Sequence, residues 1–448
     1  GSHLSLSVER LCALAENPIT RIGLSATQRP IEEVGRLLVG SDSIGPDGKP
    51  DCLIVNTGHA RIIDLAIELP QRELGPIASH EMWDEVLESV VELVRAHGTT
   101  LVFVNGRYSA DMSNPSTDAS VTVGSISELT RSNGNILESH LTSIAPTAND
   151  GFAALNTAFV QDGAFVHVAE GVDLETPLHL LFVSTANETP FITHPRVLVV
   201  AGKESNSTII ESYVGVGEGK YFSNVVSEII LEAGAQVDHY RLLDESDEAY
   251  HVGVARVSQG DGSSFSSAAF YNNVRLGRHD LLVTIGDGCE TKLGGLYITT
   301  GRQHVDNFIN LDHTKPNSTS RLFYKGILAD RSRAVFGGTV YVRDGAIKTD
   351  SLQSDKNLLL SPDAEIDSKP ALFIWADDVK CGHGATAGNI DRDTLFYMRS
   401  RGIELEEASR LLIYGFAAEI VETVKLKSLS DHLERIFLDS LPRYSFEF

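Results

Sequence analysis

Cys381 and His383 are the residues whose types and spacing point most directly to chemistry. They lie two positions apart in ADDVKCGHGAT, residues 376–386. If this segment is an extended strand, side chains at positions i and i+2 point to the same face. A thiolate and an imidazole are ligands that iron, zinc and iron–sulfur clusters use. We therefore interpret the pair as candidate metal or cluster ligands.

The sequence alone leaves three interpretations of this pair open. Two ligands do not complete a tetrahedral site, so a metal would need others from elsewhere in the chain or from a second chain. The same pair could act as a nucleophile and its base. The third interpretation is structural, with Cys381 a small buried apolar side chain and His383 a hydrogen-bonding residue at a strand end.

Other polar patterns carry weaker signals. His304 and His313 lie close to Asp306 and Asp312, but turn residues and strand-end hydrogen bonds account for such a pattern without a metal. The chain contains no phosphate-binding glycine loop of the Walker type, no G-x-S-x-G elbow and no H-E-x-x-H motif. If the protein takes part in an ATP-driven process, we expect another subunit to supply the nucleotide site.

The overall charge narrows the range of partners. The 448 residues include 61 acidic and 37 basic side chains, a formal net charge of -24. Such a chain repels phosphate backbones and anionic lipid surfaces, so we expect neither nucleic acid nor membrane as a partner. The 4 cysteines are sparse and far apart, which favours a reducing compartment. We expect the cytoplasm, or the plastid stroma if the source is a photosynthetic eukaryote.

The elements that must position the pair fall into three predicted regions. Residues 1–150 form a mixed α/β region, in which we interpret residues 1–3 as a cloning remnant. The firmest element there is a helix over residues 80–97, since its apolar residues recur at intervals of three and four. Weaker patterns predict helices over residues 7–16 and 31–39, strands over residues 52–56 and 61–69, and a hairpin turn at Asn105-Gly106.

Residues 151–388 predict a mainly β body. Short β-rich runs separated by Gly, Asp and Asn recur there with almost no helical periodicity. TVYVRDGA, NLLLSPDAEID and ALFIWADD each place an apolar run before a polar turn. Loosely repeated units of this kind favour a right-handed parallel β-helix, in which each coil buries its face against its neighbours. A sandwich, barrel or jelly roll is the alternative.

Residues 389–448 predict a helical C-terminal domain. Asp391 is a suitable N-cap for RDTLFYMRSR, and Gly402 is a suitable stop. A second helix is expected from Glu404, with one apolar stripe along it. LSDHLERIFLDSL predicts a third helix.

Several segments resemble a known family. These are LGRHD, GRQHVDN, the long run from SRLFYKGILADR to KCGHGAT and LFYMRSRGI, and EEASRLLIYGFAAEIV. They are similar to the SufB/SufD family of iron–sulfur cluster assembly proteins, and KCGHGAT with LFYMRSRGI resembles its SufD branch. The resemblance implies a β-helix core flanked by an N-terminal mixed part and C-terminal helices.

The resemblance also implies a role. The chain would be a non-catalytic scaffold subunit that forms a heterodimer with SufB, while the ABC-type ATPase SufC hydrolyses ATP. Isolated from its partners, the chain is expected to form a homodimer. It would hold no cofactor stably by itself. An iron–sulfur cluster or iron would be bound transiently in the complex, where reduced flavin is a further candidate.

The family pattern carries over to particular residues. The histidine of the family's K-C-x-H-G-A-T motif corresponds to His383, with Cys381 beside it, and is expected at the SufB–SufD interface. The family's C-terminal helices bind SufC, which places the segment 391–421 at the ATPase interface. The candidate ATPase-binding residues there are Leu395, Phe396, Arg399, Arg401, Leu412 and Phe416.

Two other functions stay open. Some β-helix proteins are carbohydrate lyases or hydrolases with paired carboxylates on one face. Asp344, Asp350 and Asp363 are the acidic residues that would have to form such a pair. A purely structural homodimer, paired through the edge strands of the β-helix, is the other alternative.

Overall fold

A computed structural model of the protein describes residues 99–440, except for 116–119, 134, 149, 187–188 and 218. The helices and strands that the sequence predicts before residue 99 therefore lie outside the described residues. The hairpin turn is confirmed. Asn105 and Gly106, with φ of 49° and 77°, connect two antiparallel strands.

Most of the described chain consists of short strands. The first are β1 (Thr99–Val104), β2 (Arg107–Tyr108), β3 (Val121–Ser125), β4 (Gly163–Val168), β5 (Leu178–Thr185), β6 (Phe191–Thr193) and β7 (Arg196–Ala201). The next are β8 (Asn206–Val216), β9 (Tyr221–Leu231), β10 (Gln236–Asp244), β11 (Tyr250–Gln259), β12 (Ser264–Asn273), β13 (Leu276–Ile285) and β14 (Glu290–Thr299). The last are β15 (His304–His313), β16 (Thr319–Leu328), β17 (Arg333–Val342), β18 (Asp350–Leu359), β19 (Glu365–Ser368), β20 (Ala371–Ile374) and β21 (Lys380–Gly388).

From β7 onward, successive strands alternate between two parallel sheets. One sheet contains β8, β10, β12, β14, β16, β18 and β21 in that order, and the other contains β7, β9, β11, β13, β15 and β17. Each strand thus pairs with the strand one coil earlier and the strand one coil later. This winding is a parallel β-helix, so the predicted fold class is correct and the jelly-roll alternative is excluded.

The register explains why the repeat is irregular in the sequence. Thr291, Ser320, Ser351 and Cys381 follow one another across β14, β16, β18 and β21, and their spacings are 29, 31 and 30 residues. Turns absorb these differences in length, because a coil needs only its strands to keep register. A fixed-period repeat is therefore absent although the coils stack in register.

Inward-facing side chains form continuous apolar columns. Val257, Val283, Leu311 and Val340 follow one another across β11, β13, β15 and β17, and each is at most 2% exposed. Burying an aliphatic side chain of this size contributes about 1.5–3 kcal/mol. Because every coil adds one member to each column, the core grows with the number of coils and depends on neighbouring coils for its burial.

One corner of each coil turns through a residue with positive φ. In the described chain these are Gly171, Glu204, Gly234, Gly262, Gly288, Asn317, Lys348 and Asp378. The turns also bond to each other. The amide N–H of Gly234 donates to the Asp261 carbonyl, and that of Gly262 donates to the Asp287 carbonyl. The stacked corners thereby satisfy backbone groups that would otherwise face outward unpaired.

Helices lie at both ends of the described chain. They are α1 (Ile126–Asn133), α2 (Asn135–His140), α3 (Gly151–Phe159), α4 (Arg392–Ser400), α5 (Leu405–Val421) and α6 (Lys427–Ser440). The Asp391 side chain accepts hydrogen bonds from the amides of Asp393 and Thr394, which confirms the predicted N-cap. Gly402, with φ of 89°, follows α4 as predicted.

The C-terminal helices pack on the outer face of one sheet. Ile298 and Ile327 of the β-helix share a buried apolar cluster with Ile413, Ala417 and Ile420 of α5. This second core is separate from the β-helix interior. The helices are therefore held to the β-helix by the same kind of apolar burial that holds the coils together.

A buried lysine adds a polar contact to this junction. The side chain of Lys325 on β16 is 1% exposed, and its Nζ donates to the Phe416 carbonyl at 2.6 Å and contacts Glu419 Oε2 at 2.7 Å. The ammonium also lies 4.3 Å from the centre of the Phe416 ring. Burial lowers the pKa of Lys325, and Glu419 opposes that shift. Lys325 therefore links the backbone of α5 directly to one coil.

The columns make a stability prediction. Replacing Leu311, which is fully buried, with alanine should leave a cavity and lower the free energy of unfolding by about 2–5 kcal/mol. The matched control is Leu352→Ala, because Leu352 lies on a strand but is 53% exposed, and its loss should cost less than about 0.5 kcal/mol. Denaturant unfolding measures both. Equal losses would contradict the assignment of Leu311 to the interior column.

Candidate functional site

Cys381 and His383 lie on β21, the last strand of its sheet. β21 pairs with β18 on one side, and within the described residues no strand pairs with its other side. The second sheet ends nearby in β19 and β20, which pair with β17 and are separated by Lys369 and Pro370. The β-helix therefore ends in edge strands whose outer backbone groups are free to pair with another chain.

The two side chains share a face, as the sequence predicted. Cys381 is in register with Ser351 of β18 and His383 with Gln353, and both β18 residues are buried in the interior. Cys381 is half-buried and packs against the interior apolar cluster. His383 is exposed, because no further coil covers it in the described chain. The open end of the β-helix thus presents an imidazole with a thiol beside it.

The protonation of the Cys381 thiol bears on the ligand and nucleophile interpretations of the pair. Burial raises the pKa of Cys381, and the Asp350 carboxylate acts in the same direction, while a backbone hydrogen bond at Ser351 opposes them. A cysteine activated as a nucleophile needs a lowered pKa instead. The His383 ring contacts the Gln353 amide. The raised pKa of Cys381 therefore argues against an activated nucleophile, and ligation of a metal by its sulfur would likewise require the thiol to lose its proton.

Beneath β21, the inner face of β18 is polar at four successive inward positions. Ser351, Gln353, Asp355 and Asn357 point inward and are all buried. Asp355 Oδ2 accepts hydrogen bonds from Ser368 Oγ and Asn357 Nδ2, each at 2.7 Å. Burial outweighs these bonds and raises the pKa of Asp355 to about 6. We call these four inward-facing side chains of the last complete coil the polar floor. The sequence did not reveal it, because alternating polar residues usually indicate an outward face.

Gln353 connects this floor to His383. Its amide Nε2 donates to the Ala371 carbonyl at 3.1 Å and lies 3.5 Å from His383 Nδ1. The amide fits in a notch at Gly338 of β17, where a Cβ atom would stand 2.6 Å from Gln353 Oε1. The side chain therefore spans the interior between the two sheets directly below the exposed ring.

A second buried polar network lies in the middle of the β-helix. Arg241 donates to His251 Nε2 at 2.6 Å, and His251 Nδ1 lies 3.2 Å from Glu245 Oε2. His239 Nε2 lies 3.2 Å from Glu211 Oε1. Burial alone would raise the pKa of Glu211, but the contacts with His239 and Arg241 hold it at about 2. His239, Arg241, Glu245 and His251 lie within one short stretch of the sequence, and the register of the coils brings Glu211 of the preceding coil to them.

The remaining histidine and aspartate candidates do not converge. His313 is buried with its Nε2 2.9 Å from Ser320 Oγ, and burial lowers its pKa to about 4. Arg343 binds Asp312, and Arg278 binds Asp306. Among the residues the structure describes, no three His, Cys, Asp or Glu side chains are placed to hold a metal ion. Any metal at His383 would need ligands from outside the described residues or from a partner chain.

The aspartates that a carbohydrate-active enzyme would use are placed apart. Asp350 begins β18 and pairs with Arg321 at 2.9 Å. Asp363 follows that strand and pairs with Arg331 at 3.3 Å. Asp344 is exposed in the turn after β17. Two of the three are thus held in ion pairs, and no observation favours this function.

Three of the six candidate ATPase-binding residues are exposed, and the other three are buried or half-buried. Phe396 is 73% exposed, and Arg399 and Arg401 are exposed as well. Leu395 is buried in the cluster beneath the helices, and Leu412 and Phe416 are half-buried against it. The sequence did not single out Tyr397, which is 61% exposed next to Phe396. The first three residues can thus contact a partner, while the other three hold α4 and α5 in place.

Comparison with known proteins places these features in a family. The sequence matches the SufBD core domain of SUF system FeS cluster assembly over residues 182–416, and the SufBD protein N-terminal region over residues 89–180. The chain belongs to the SufB/SufD family. It is thus a member of the family of iron–sulfur cluster assembly proteins of the SUF system. The core match includes the coils from β5 onward, the Cys381–His383 strand and most of α5.

Individual SufB/SufD relatives agree with this assignment. The SufBD family protein slr0076 of Synechocystis is 35% identical over 353 residues, 77% of this chain and 78% of the relative. The iron–sulfur cluster assembly protein SufD of Escherichia coli is 30% identical, over 74% of this chain and 77% of its own. The chloroplastic protein ABCI7 of Arabidopsis thaliana is 31% identical, over 80% and 76%. Within the described residues, no helix is long and apolar enough to span a membrane.

The polar floor predicts a pH-dependent stability difference. The pKa of Asp355 is raised from 3.8 to about 6, so the folded chain binds more protons than the unfolded chain between these values. Stability due to this group is therefore lost as the pH rises from about 4 to above 6. Asp355→Asn mimics the protonated carboxyl and should be up to about 2–3 kcal/mol more stable than the native chain at pH 7.5, and equal to it near pH 4.

Denaturant unfolding between pH 4 and 7.5 measures this difference. The control is Asp344→Asn, which alters an exposed turn aspartate and should change stability by less than about 0.5 kcal/mol throughout. A constant difference between the Asp355→Asn variant and the native chain across this range would show that burial does not perturb Asp355.

Proposed function

We propose that this chain is the SufD-like scaffold subunit of a SUF assembly complex and acts with SufB and the ATPase SufC. The observation that carries the proposal is the open last coil, where Cys381 and His383 stand beside an unpaired strand edge. Relatives named SufD from Escherichia coli and Bacillus subtilis are 30% and 31% identical to this chain, which supports the assignment.

The strand edges support SufB as the partner at this end. A family member of the same fold would offer edge strands of its own, and two such edges can pair by backbone hydrogen bonds. The partner would then cover His383 and contribute the ligands that are absent from the described part of this chain. In the absence of SufB, the same edges would pair two copies of this chain into a homodimer.

Iron or a nascent iron–sulfur cluster is the cargo of this interface, and the chain needs no resident cofactor for its part. His383 would act as a ligand or as a proton carrier for the cargo, since an imidazole can do either near neutral pH. Cys381, largely protonated, would become a ligand only after losing its proton. We propose the cytoplasm, or the plastid stroma in a photosynthetic eukaryote, as the place of assembly.

The exposed residues of α4 support SufC as the partner at the helical end. Phe396 and Tyr397 present two aromatic rings to solvent, with Arg399 and Arg401 close by. Aromatic and arginine side chains are enriched among the residues that dominate protein–protein binding energy. Because α5 is fixed to the β-helix through Lys325, movement of a bound ATPase would be transmitted to the coils near β21.

The role of His383 is tested by His383→Ala in the complex with SufB and SufC. Removing the imidazole should lower the yield of assembled cluster at least about tenfold, because a ligand or proton carrier is lost at an exposed position that contributes little to folding. Cluster formation is followed by visible absorption, and complex formation by size-exclusion chromatography. The matched control is His304→Ala, which alters a half-buried histidine on β15. Unchanged cluster yield in an intact His383→Ala complex would contradict the proposal.

The SufC contact is tested by Phe396→Ala. Loss of an exposed aromatic anchor should weaken SufC binding by more than about 1 kcal/mol, or at least about fivefold in Kd. Titration calorimetry with purified SufC measures the change, and truncation before Asp391 should abolish binding. Phe159→Ala is the control, since Phe159 is 60% exposed but lies on α3. Equal effects of the two substitutions would refute a specific docking surface on α4.

A further inference from the structure

We propose that Gln353 is a positioning residue that fixes the tautomer of His383. Gln353 directs an amide N–H at Nδ1, so the neutral ring carries its proton on Nε2 and presents an N–H donor at the open end of the β-helix. This proposal deepens the proposed function, because it states which of the two roles of His383 the uncomplexed chain is prepared for.

The Gln353 amide can take only one of its two orientations. Its Nε2 lies 3.1 Å from the Ala371 carbonyl, which can only accept a hydrogen bond. An amide oxygen at that position would face another acceptor, so the nitrogen must occupy it. The amide is thereby fixed in one of its two orientations. Its second N–H is then free to point toward His383 Nδ1, 3.5 Å away.

The Gln353 amide is also restrained by residues of the opposite sheet. Gly338 of β17 lies on the opposite sheet and leaves a notch for Gln353 Oε1, which would stand 2.6 Å from a Cβ atom at that position. Phe336 borders the same notch, since its ring would lie 2.8 Å from that atom. Gln353 itself is 1% exposed. The amide is therefore enclosed by both sheets, whereas the ring that it contacts is exposed.

The orientation of the Gln353 amide determines the tautomer of the His383 ring. A nitrogen that faces an N–H donor has to supply a lone pair, so Nδ1 is unprotonated and the proton of the neutral ring is on Nε2. Arg241 imposes the same logic on His251 in the middle of the β-helix, where the guanidinium faces Nε2 and the proton is left on Nδ1. The chain thus sets the tautomer of both rings with a neighbouring donor.

The position of the ring proton distinguishes the two roles of His383, proton carrier and metal ligand. An Nε2–H can donate a hydrogen bond or a proton to a group that a partner brings to this surface. It cannot bind a metal through Nε2 until that proton moves to Nδ1, where the Gln353 N–H opposes it. Metal-ligating histidines usually donate their second ring nitrogen to a carboxylate or carbonyl. Gln353 supplies the opposite partner, so the uncomplexed chain presents a donor.

The test uses ring ¹⁵N NMR of the full chain labelled at histidine. The sequence contains 15 histidines, so the His383 signals are assigned by their loss in His383→Ala. We expect a protonated Nε2 and an unprotonated Nδ1 at pH values where the ring is neutral. Gln353→Met keeps the volume and removes the donor, and it should give the averaged signals of two mixed tautomers. Gly338→Ala displaces the amide from below and should have the same effect.

Gln353→Glu reverses the polarity of the contact and adds a second readout. A carboxylate beside Nδ1 should draw the ring proton there and leave the Nε2 lone pair free. Binding of Co²⁺, used as the probe metal, should then be about 10–100-fold tighter than in the native chain. The control is Gln236→Met, which removes an exposed glutamine at the start of β10 and should alter neither readout.

Two results would overturn the proposal. One is a native ring with its proton on Nδ1, or with averaged tautomers that Gln353→Met leaves unchanged. The other is Co²⁺ binding to the native chain as tight as to the Gln353→Glu variant. Because the NMR readout needs no partner, it is independent of the proposed function. Fixed Nε2 protonation together with normal cluster yield in His383→Ala would support the positioning role and refute the proposed function.

Discussion

Backbone pairing between successive coils is the constraint on which the rest of this structure depends. A strand in the middle of the β-helix pairs with the coil before it and the coil after it, so both of its edges have a strand partner. Within the described residues, the last coil has a neighbour on one side only. There β21 exposes a row of donors and acceptors without a strand partner, and the break at Lys369 and Pro370 divides the opposite edge in two. The site of interest is located where this pairing ends.

The interior is apolar except where it performs another task. Most inward columns are aliphatic or aromatic, as in the stack of Phe103, Phe182 and Tyr213, whose ring centres are 4.9 Å apart. Against this background, the charged network around Arg241 and the polar inner face of β18 stand out. Buried polar groups are costly unless they are paired. The β18 side chains bond to one another, to Ser368 and to the ring of His383. These bonds offset part of the cost of burying polar groups in the coil beneath the site.

The sequence predicted the parts of this architecture that local patterns determine. The spacing of Cys381 and His383 placed them on one face, and the capping residue Asp391 located the start of α4. The polar floor could not be predicted. Gln353 and Asp355 alternate with Leu352 and Ser354, and the pattern alone would have turned the leucine inward. Which face is buried depends on the coils above and below, and that information is not local.

The candidate ATPase-binding residues illustrate a similar limit. The apolar stripe of α5 was evident in the sequence, but periodicity does not reveal whether the stripe faces the same chain or a partner. Packing on the outer face of the β-helix uses Leu412 and Phe416, which leaves α4 with most of the exposed surface. Phe396 and Leu395 are neighbours in sequence and differ completely in exposure, because a helix turns about 100° per residue.

The contact made by Lys325 has a mechanical consequence. Its ammonium binds the main-chain carbonyl of Phe416 as well as the Glu419 side chain, so part of the contact is made to the backbone of α5, which cannot change rotamer. Lys325 is in register with Lys356 on β18, and Lys356 is in register with Thr386 on β21. A displacement of α5 along its axis would therefore act first on β16 and, through the backbone pairing, on β18 and β21. Lys325 therefore provides a physical link between the C-terminal helices and the strand that carries His383.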